Sequence, residues 1–343
     1  ASRHKALSNI YKDPALQPTW GAVDFAYGCE PTVVVYGNPH NNTLTARLQP
    51  EGAVQGCIFG GFITCHSLQN HYADTINGLN AVLIADIDDA TTIGHFNDCI
   101  QALDRQLSNP LYPVNTSKTK LLWPHSTPPP PELSQACQDR NITLALQSTE
   151  LLGCSVGCND DATRLHAINK VNNIPFHTLT HPLLPKQIAT HLLRTCPSGA
   201  MNYLTRTHPT PLIQDAINLF DSKRRDLIDQ LNHLPPPPTH PPANATPQEL
   251  ECYQNNSLAR TLAYDLPPKR SGLGLRLATY YANAAYYSAA TNLLHQTPHL
   301  THLLSDQDDI PYIQHLTHSH DTLRLQQIPI HDTFPTNLVN AFA

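Results

Sequence analysis

The sequence predicts an α+β fold, with strands and helices mixed to about residue 160 and helices alone beyond it. Three observations carry this. Short β-branched runs flank turn clusters in residues 32–48 and 81–94, the pattern of antiparallel hairpins. Beside them apolar residues recur at helical spacing, most clearly Phe96, Ile100, Leu103 and Leu107, which mark one face of a helix. After about residue 160 only the helical period persists, broken by the proline run LPPPPTHPP at residues 234–242.

Composition bounds the function. A chain of 343 residues has room for two or more domains. Hydrophobic residues at 40% supply a core, while 14% charged residues and 31 prolines imply folded elements joined by polar, Pro-rich connections. A net charge of −6 speaks against a nucleic-acid footprint that rests on charge alone. The 20 histidines offset that charge only below neutral pH. Nine cysteines without regular spacing do not make a disulfide framework. With no signal peptide and no apolar run long enough to span a bilayer, the expectation is an intracellular protein, nuclear or cytoplasmic, not secreted and not a membrane partner. The chain opens on Ala and holds one Met, Met201, so it is expected to be a piece of a longer protein.

Taken in order, Ala6, Leu7, Ile10 and Tyr11 share one helical face, and Pro14 closes that helix. TVVVY at 32–36 is a strand, and 43–48 is its hairpin partner. GAVQGC at 52–57 leads into a long, largely apolar helix through Phe59, Phe62, Ile63 and Leu68. AVLIADIDDATTIG at 81–94 is a hairpin with an acidic tip. The amphipathic helix at 96–107 follows, then VNTSKTKLLW at 114–123, a short strand or turn presenting Lys118 and Lys120. A proline loop at 124–131 precedes a short helix at 132–140. Residues 142–157 read as two strands, ending in LLGCSVG with Gly153 and Gly157 at a turn. Helices are expected at 161–171, 186–195, 199–206 and 210–233, the last carrying the basic run Lys223-Arg224-Arg225. The proline run is a stiff linker. Helices resume at 247–264 and 276–295, and the polar tail beyond 296 shows only weak helices.

The chemistry concentrates at Asp86, Asp88 and Asp89. Adjacent carboxylates at a strand end repel unless a cation lies between them, and an oxygen-only donor set suits Mg²⁺. A solvated acidic turn uses the same residues. Cys154 and Cys158 lack the second pair a zinc site needs. His315, His318 and His320 with Asp321 can hold a transition metal, though among 20 histidines such groupings arise by chance. Walker loop, dinucleotide fingerprint and Gly-x-Ser-x-Gly elbow are all absent from the sequence.

The order of these elements resembles the palm of reverse transcriptases, specifically those of non-LTR (LINE-like) retrotransposons. Gly52–Cys57 resembles the family's Gly-x-x-Gln-Gly motif, and Asp86–Asp89 stands where the family has an aromatic or small residue, any residue, then Asp-Asp. Val114-Asn115 with Lys118 is similar to its Asn…Lys motif, and Leu151-Leu152-Gly153 to its primer-grip turn. In the helical half, residues 194–206, Phe220-Asp221, Gly272–Leu275 and Ala284-Ala285-Tyr286 are similar to segments that follow the palm. The resemblance covers roughly residues 1–295.

The resemblance implies a partial polymerase palm, a small antiparallel sheet backed by helices at 57–76 and 95–107, over residues 1–160. It implies a helical thumb at 161–233, the Pro-rich linker at 234–246 and a C-terminal helical region at 247–343. The activity it implies is RNA-directed DNA synthesis by two-metal nucleotidyl transfer onto a primer 3′-hydroxyl, with Mg²⁺, or Mn²⁺ in its place. Asp88 and Asp89 would be the metal and catalytic carboxylates, with Lys118 near the pyrophosphate. Gly52, Gln55 and Gly56 would contact nucleotide or template, and Leu152 and Gly153 the primer. Arg206, Lys223, Arg224 and Arg225 would meet nucleic-acid backbone. The implied partners are an RNA template, a DNA primer duplex and dNTP, in an unspecified oligomeric state.

This sequence departs from the family at three places. The strand carrying the family's other metal-binding Asp would lie before residue 1, so residues 1–343 are expected not to polymerise by themselves. Asp86 replaces a Tyr or Ala, and Ile58 replaces a Pro. Two further readings stand beside the first: a decayed or repurposed palm and thumb that binds nucleic acid without catalysis, and a His-rich metal- or partner-binding protein.

Overall fold

A computed structural model describes residues 3–28, 32–38, 43–49, 59–86, 89–110, 112–233, 244–266, 272–296 and 311–327. The fold is mixed α and β and mostly helical, and among the described residues the strands lie in two-stranded ladders. The chain divides into two compact units, residues 1–121 with 127–144, and residues 122–126 with 145–343.

The first unit is built on α1 (Arg3–Lys12) and α3 (Gly60–Ile76). Ala6 and Ile10 face Ile63 of α3, and all three are buried. Pro14 does end α1, but the chain stays helical. Asp13 accepts from the Ala15 amide at 3.0 Å and opens a 3₁₀ turn at Pro14–Thr19, which leads into α2 (Trp20–Val23) and a π turn at Asp24–Gly28. Trp20 Nε1 donates to the Ile10 carbonyl at 3.0 Å, and Asn9 Nδ2 to the His66 carbonyl at 3.0 Å. Strands β1 (Thr32–Asn38) and β2 (Thr43–Gln49) pair Thr32 with Gln49 through Asn38 with Thr43.

Strands β3 (Ala81–Asp86) and β4 (Asp89–Gly94) form the acidic hairpin, and α4 (Phe96–Leu107) follows directly. Arg105 of α4 donates from one guanidinium nitrogen to the Asp74, Thr75 and Asn77 carbonyls at 3.3, 3.1 and 2.7 Å. A cation thus meets the negative end of α3, which the helix dipole favours. Tyr112 donates to the Ser67 carbonyl at 2.6 Å and stacks on His71. After α5 (Pro131–Asp139), Arg140 forks onto both oxygens of Asp104 at 2.6 and 2.7 Å.

The expectation of one sheet backed by two helices is corrected here. Among the described residues each hairpin is a ladder of its own. Val82, Ile84 and Ile93, which share one face of β3–β4, are 60%, 56% and 56% exposed. Strand β5 is only Lys120–Trp123, because residues 115–119 coil into a turn whose Lys118 and Thr119 amides donate to the Asn115 carbonyl. Residues 142–157 hold three strands, not two: β6 (Thr143–Leu146), which pairs with β5, then β7 (Ser148–Leu151) and β8 (Cys154–Gly157), which pair with each other.

The second unit is helical around one core. Its helices are α6 (Asp160–Asn172), α7 (Lys186–Thr207), α8 (Thr210–Leu231), α9 (Pro247–Asp265), α10 (Ala278–Gln296) and α11 (Pro311–Leu325). Val171, Leu193, Met201, Ile213, Ile217, Phe220 and Ile228 are buried together with Leu275, Ala278 and Ala282. Residues on both sides of the proline run therefore share one core. Residues 234–243, which include that run, lie outside the described residues. Helix α7 replaces the two expected helices, running through a buried Pro197. Asn159 caps α6 by accepting from the Ala162 amide at 2.9 Å, and Thr246 and Glu249 form a reciprocal capping box on α9. Helix α11 lies where only weak helices were expected.

Candidate functional site

The acidic stretch forms the expected hairpin. Asp86, the last residue of β3, pairs with Asp89, the first of β4, and both are exposed. Asp88 lies outside the described residues, as do Gly52, Gln55 and Gly56. The donor set at the tip is carboxylate oxygen in water, which fits a hard divalent cation such as Mg²⁺. Lys118 is exposed on the turn before β5, beside an Asn115 whose side-chain oxygen accepts from Ser117 at 2.7 Å. Among the described residues, no three His, Cys, Asp or Glu side chains are grouped to hold a metal ion. The His315, His318, His320 and Asp321 set accordingly makes no such centre, and His320 Nδ1 instead meets Asp321 at 3.2 Å.

The basic run divides. Arg206 is exposed in the last turn of α7, and Lys223 and Arg225 are half-buried. Arg224 is 1% exposed, stacks over Phe220 and donates to the Arg276 carbonyl at 3.0 Å. Its assignment to nucleic-acid backbone is corrected: the side chain is core. The period explains it, since Phe220, Arg224, Leu227 and Leu231 follow the buried stripe of α8. Burial pulls the Arg224 guanidinium below its ordinary value, opposed by the nearby Asp221 carboxylate.

The Leu152–Gly153 turn is the best-defined part of the expected site. Both residues have positive φ, 49° and 83°. Leu152 accepts that geometry at a steric cost that Gly153 avoids. The turn is clasped by the second unit's helices. Tyr203 of α7 donates its hydroxyl to the Leu152 carbonyl, and the Cys154 thiol donates to the same hydroxyl at 3.0 Å. His166 of α6 lies with Nε2 3.0 Å from the Gly153 carbonyl. Lys170 pairs with Glu150 of β7 at 2.8 Å. His208, just past α7 and 2% exposed, accepts from the Ser155 amide at Nε2, 3.2 Å away. Burial lowers the pKa of His208 below the usual histidine value.

Sequence reading missed Tyr203, His166 and His208. Tyr203 and His208 meet the hairpin across some 50 positions, and no local pattern announces such a contact. It also missed the role of Asp221. That carboxylate accepts from the Ala278 and Thr279 amides at 2.8 and 3.0 Å and from the Thr279 hydroxyl at 2.7 Å, capping α10 from α8. The Phe220-Asp221 and Gly272–Leu275 segments, read separately, thereby lie at one end of α10.

No protein-family profile, curated protein or solved structure matches the chain. No helix among the described residues is long and apolar enough to cross a membrane.

Proposed function

We propose that the chain is the palm-and-thumb portion of an RNA-directed DNA polymerase of the non-LTR retrotransposon kind. The observation that carries this reading is the β3–β4 hairpin. A strand enters an acidic tip at Asp86, a strand leaves it at Asp89, a 17-residue helix precedes it and an amphipathic helix follows. The Lys118 turn and the Leu152–Gly153 turn come next in the order a polymerase palm uses. A bound Mg²⁺, held by Asp88 and Asp89, would supply charge neutralisation for the primer 3′-hydroxyl and the departing pyrophosphate. Lys118 would add a positive charge or a proton on the pyrophosphate side. Gly52, Gln55 and Gly56 would line the nucleotide and template, and the Leu152–Gly153 turn would orient the primer. The helices of the second unit would grip the RNA–DNA duplex through its backbone, a sequence-tolerant contact.

The test is primer extension on an RNA template with Mg²⁺ and dNTP. Residues 1–343 are expected to bind the template–primer duplex with salt-sensitive affinity. They are expected to extend the primer only when an upstream segment bearing a further carboxylate is joined to them. Asp88→Ala in that longer chain should abolish extension and leave duplex binding. Duplex binding without extension in every form would instead favour the non-catalytic reading, to which Asp86, opposite Asp89 in the ladder, lends weight by adding charge at the tip. Absence of both binding and extension overturns the two together.

A further inference from the structure

We infer that His208 is an acid-released latch that holds the β7–β8 hairpin to helices α6 and α7. The inference rests on the geometry of the second unit and is independent of the function proposed above. The hydrogen bonds fix the state of the ring. The Ser155 amide is a donor, so Nε2 must offer a lone pair. At the other nitrogen, Thr207 Oγ1 lies 2.9 Å from Nδ1, and that hydroxyl already donates to the Tyr203 carbonyl at 2.8 Å. Thr207 can therefore only accept from Nδ1, so the ring is neutral with its proton there. A proton added at Nε2 turns acceptor into donor and sets N–H against N–H at Ser155.

The other contacts to the hairpin survive acid. His166 serves the Gly153 carbonyl as a donor, which an imidazolium does equally well. The Tyr203 hydroxyl, the Cys154 thiol and the Thr163 hydroxyl, 3.1 Å from Ser155 Oγ, serve as donors, a role that an added proton does not take away. Among the described residues, the titratable groups that contact the hairpin or the His208 ring are His166 and Lys170 from α6, Glu150 from β7, Cys154 from β8 and Tyr203 from α7. Glu150 is paired with Lys170. Burial is what chiefly opposes a second proton on His208, with His166, whose ring stacks 6.2 Å away, adding to it, while hydrogen bonding to the Leu204 and Ser155 backbone works in the other direction. The latched state thus binds fewer protons than the open one. It is fully stable above the ordinary histidine value, about 6.5, and loses stability as pH falls below it toward the lower folded-state value.

The measurement is amide exchange at Ser155 in the full chain from about pH 8 to about pH 5, corrected for intrinsic rate. Opening should be flat above about pH 6.5 and rise by up to tenfold per unit below it, while the Phe220 amide in α8 stays unchanged. His208→Gln keeps an oxygen acceptor for Ser155 at every pH and should give a flat profile. His166→Gln should keep the slope. A flat profile in the parent chain, a slope that persists in His208→Gln, or one that vanishes in His166→Gln overturns the latch. Should His208→Gln fail to fold, imidazole ¹⁵N shifts of the parent chain decide. An Nε2 that is unprotonated and titrates below the ordinary value supports the latch. One that carries the proton at neutral pH, or titrates at or above the ordinary value, overturns it.

Discussion

Single side chains in the second unit hold elements that are far apart in sequence, and Asp221 shows what one of them contributes. It satisfies two amides and a hydroxyl at the start of α10 and stands beside the buried Arg224. Replacing it with Ala leaves orphaned donors and takes from the buried guanidinium the nearer of two carboxylates, Asp265 remaining. Loss of a cap costs about 1 kcal/mol, and breaking a buried charge pair about 3 kcal/mol or more, less where a second carboxylate remains. We expect Asp221→Ala to lower stability by roughly 3–4 kcal/mol in urea denaturation, and Asp221→Asn by less, because the amide oxygen still caps. Equal losses in the two would show that charge, not capping, sets the cost. Nothing in the local sequence marks Asp221 for this role. An Asp inside an amphipathic helix reads as a solvent-facing residue until its partner 57 positions later is known.

Elements were legible where local signals agree. The hairpin at 81–94 and the helix at 96–107 run as the apolar and β-branched runs around a turn and the 3.6-residue period predict. Boundaries failed where a distant contact decides them. Pro197 should end a helix, since its ring removes one backbone donor, yet the ring is buried in the core and α7 continues. Residues 142–157 hide an extra strand because their pairing partner, β5, lies beyond a loop and a helix. In the candidate site, the turn at Leu152–Gly153 was readable from its glycine, whereas the side chains that clasp it were not. Two glycines make a paired test. Gly157 has φ 135°, and a Cβ there would lie 2.0 Å from the Gln147 carbonyl oxygen. Gly199, within α7, has open space at that point. Gly157→Ala should destabilise by about 2 kcal/mol or more and deprotect the Ser155 amide. Gly199→Ala should stabilise by roughly 0.5–1 kcal/mol. A neutral Gly157→Ala, measured by thermal denaturation, would mean the β7–β8 ladder adds little to the unit.

At the scale of the whole chain, the two compact units carry separate apolar cores, one around Ile10 and Ile63, the other around Phe220 and Leu193. A cavity in one need not disturb the other. Phe220→Ala, at a fully buried position, should cost about 3–5 kcal/mol in the transition reported by α7, α8 and α10. Exchange protection at Ile63 in α3 should be unaltered. A parallel loss at Ile63 would show that the units melt as one. The division also bears on the proposed function. The hairpin with its carboxylates belongs to the first unit and the clasped turn to the second, so substitutions at one can be tested for effects on the other.

The capping of α10 by Asp221 also sets a schedule for synthesis. Helix α8 leaves the ribosome with a carboxylate whose partners are still untranslated. At roughly 5–20 residues per second, the 57 positions from Asp221 on to Ala278 take about 3–11 s. During that interval a half-built bundle carries Asp221 and Arg224 without the chain that buries them, and a chaperone that shields it over those seconds would raise the yield of folded protein.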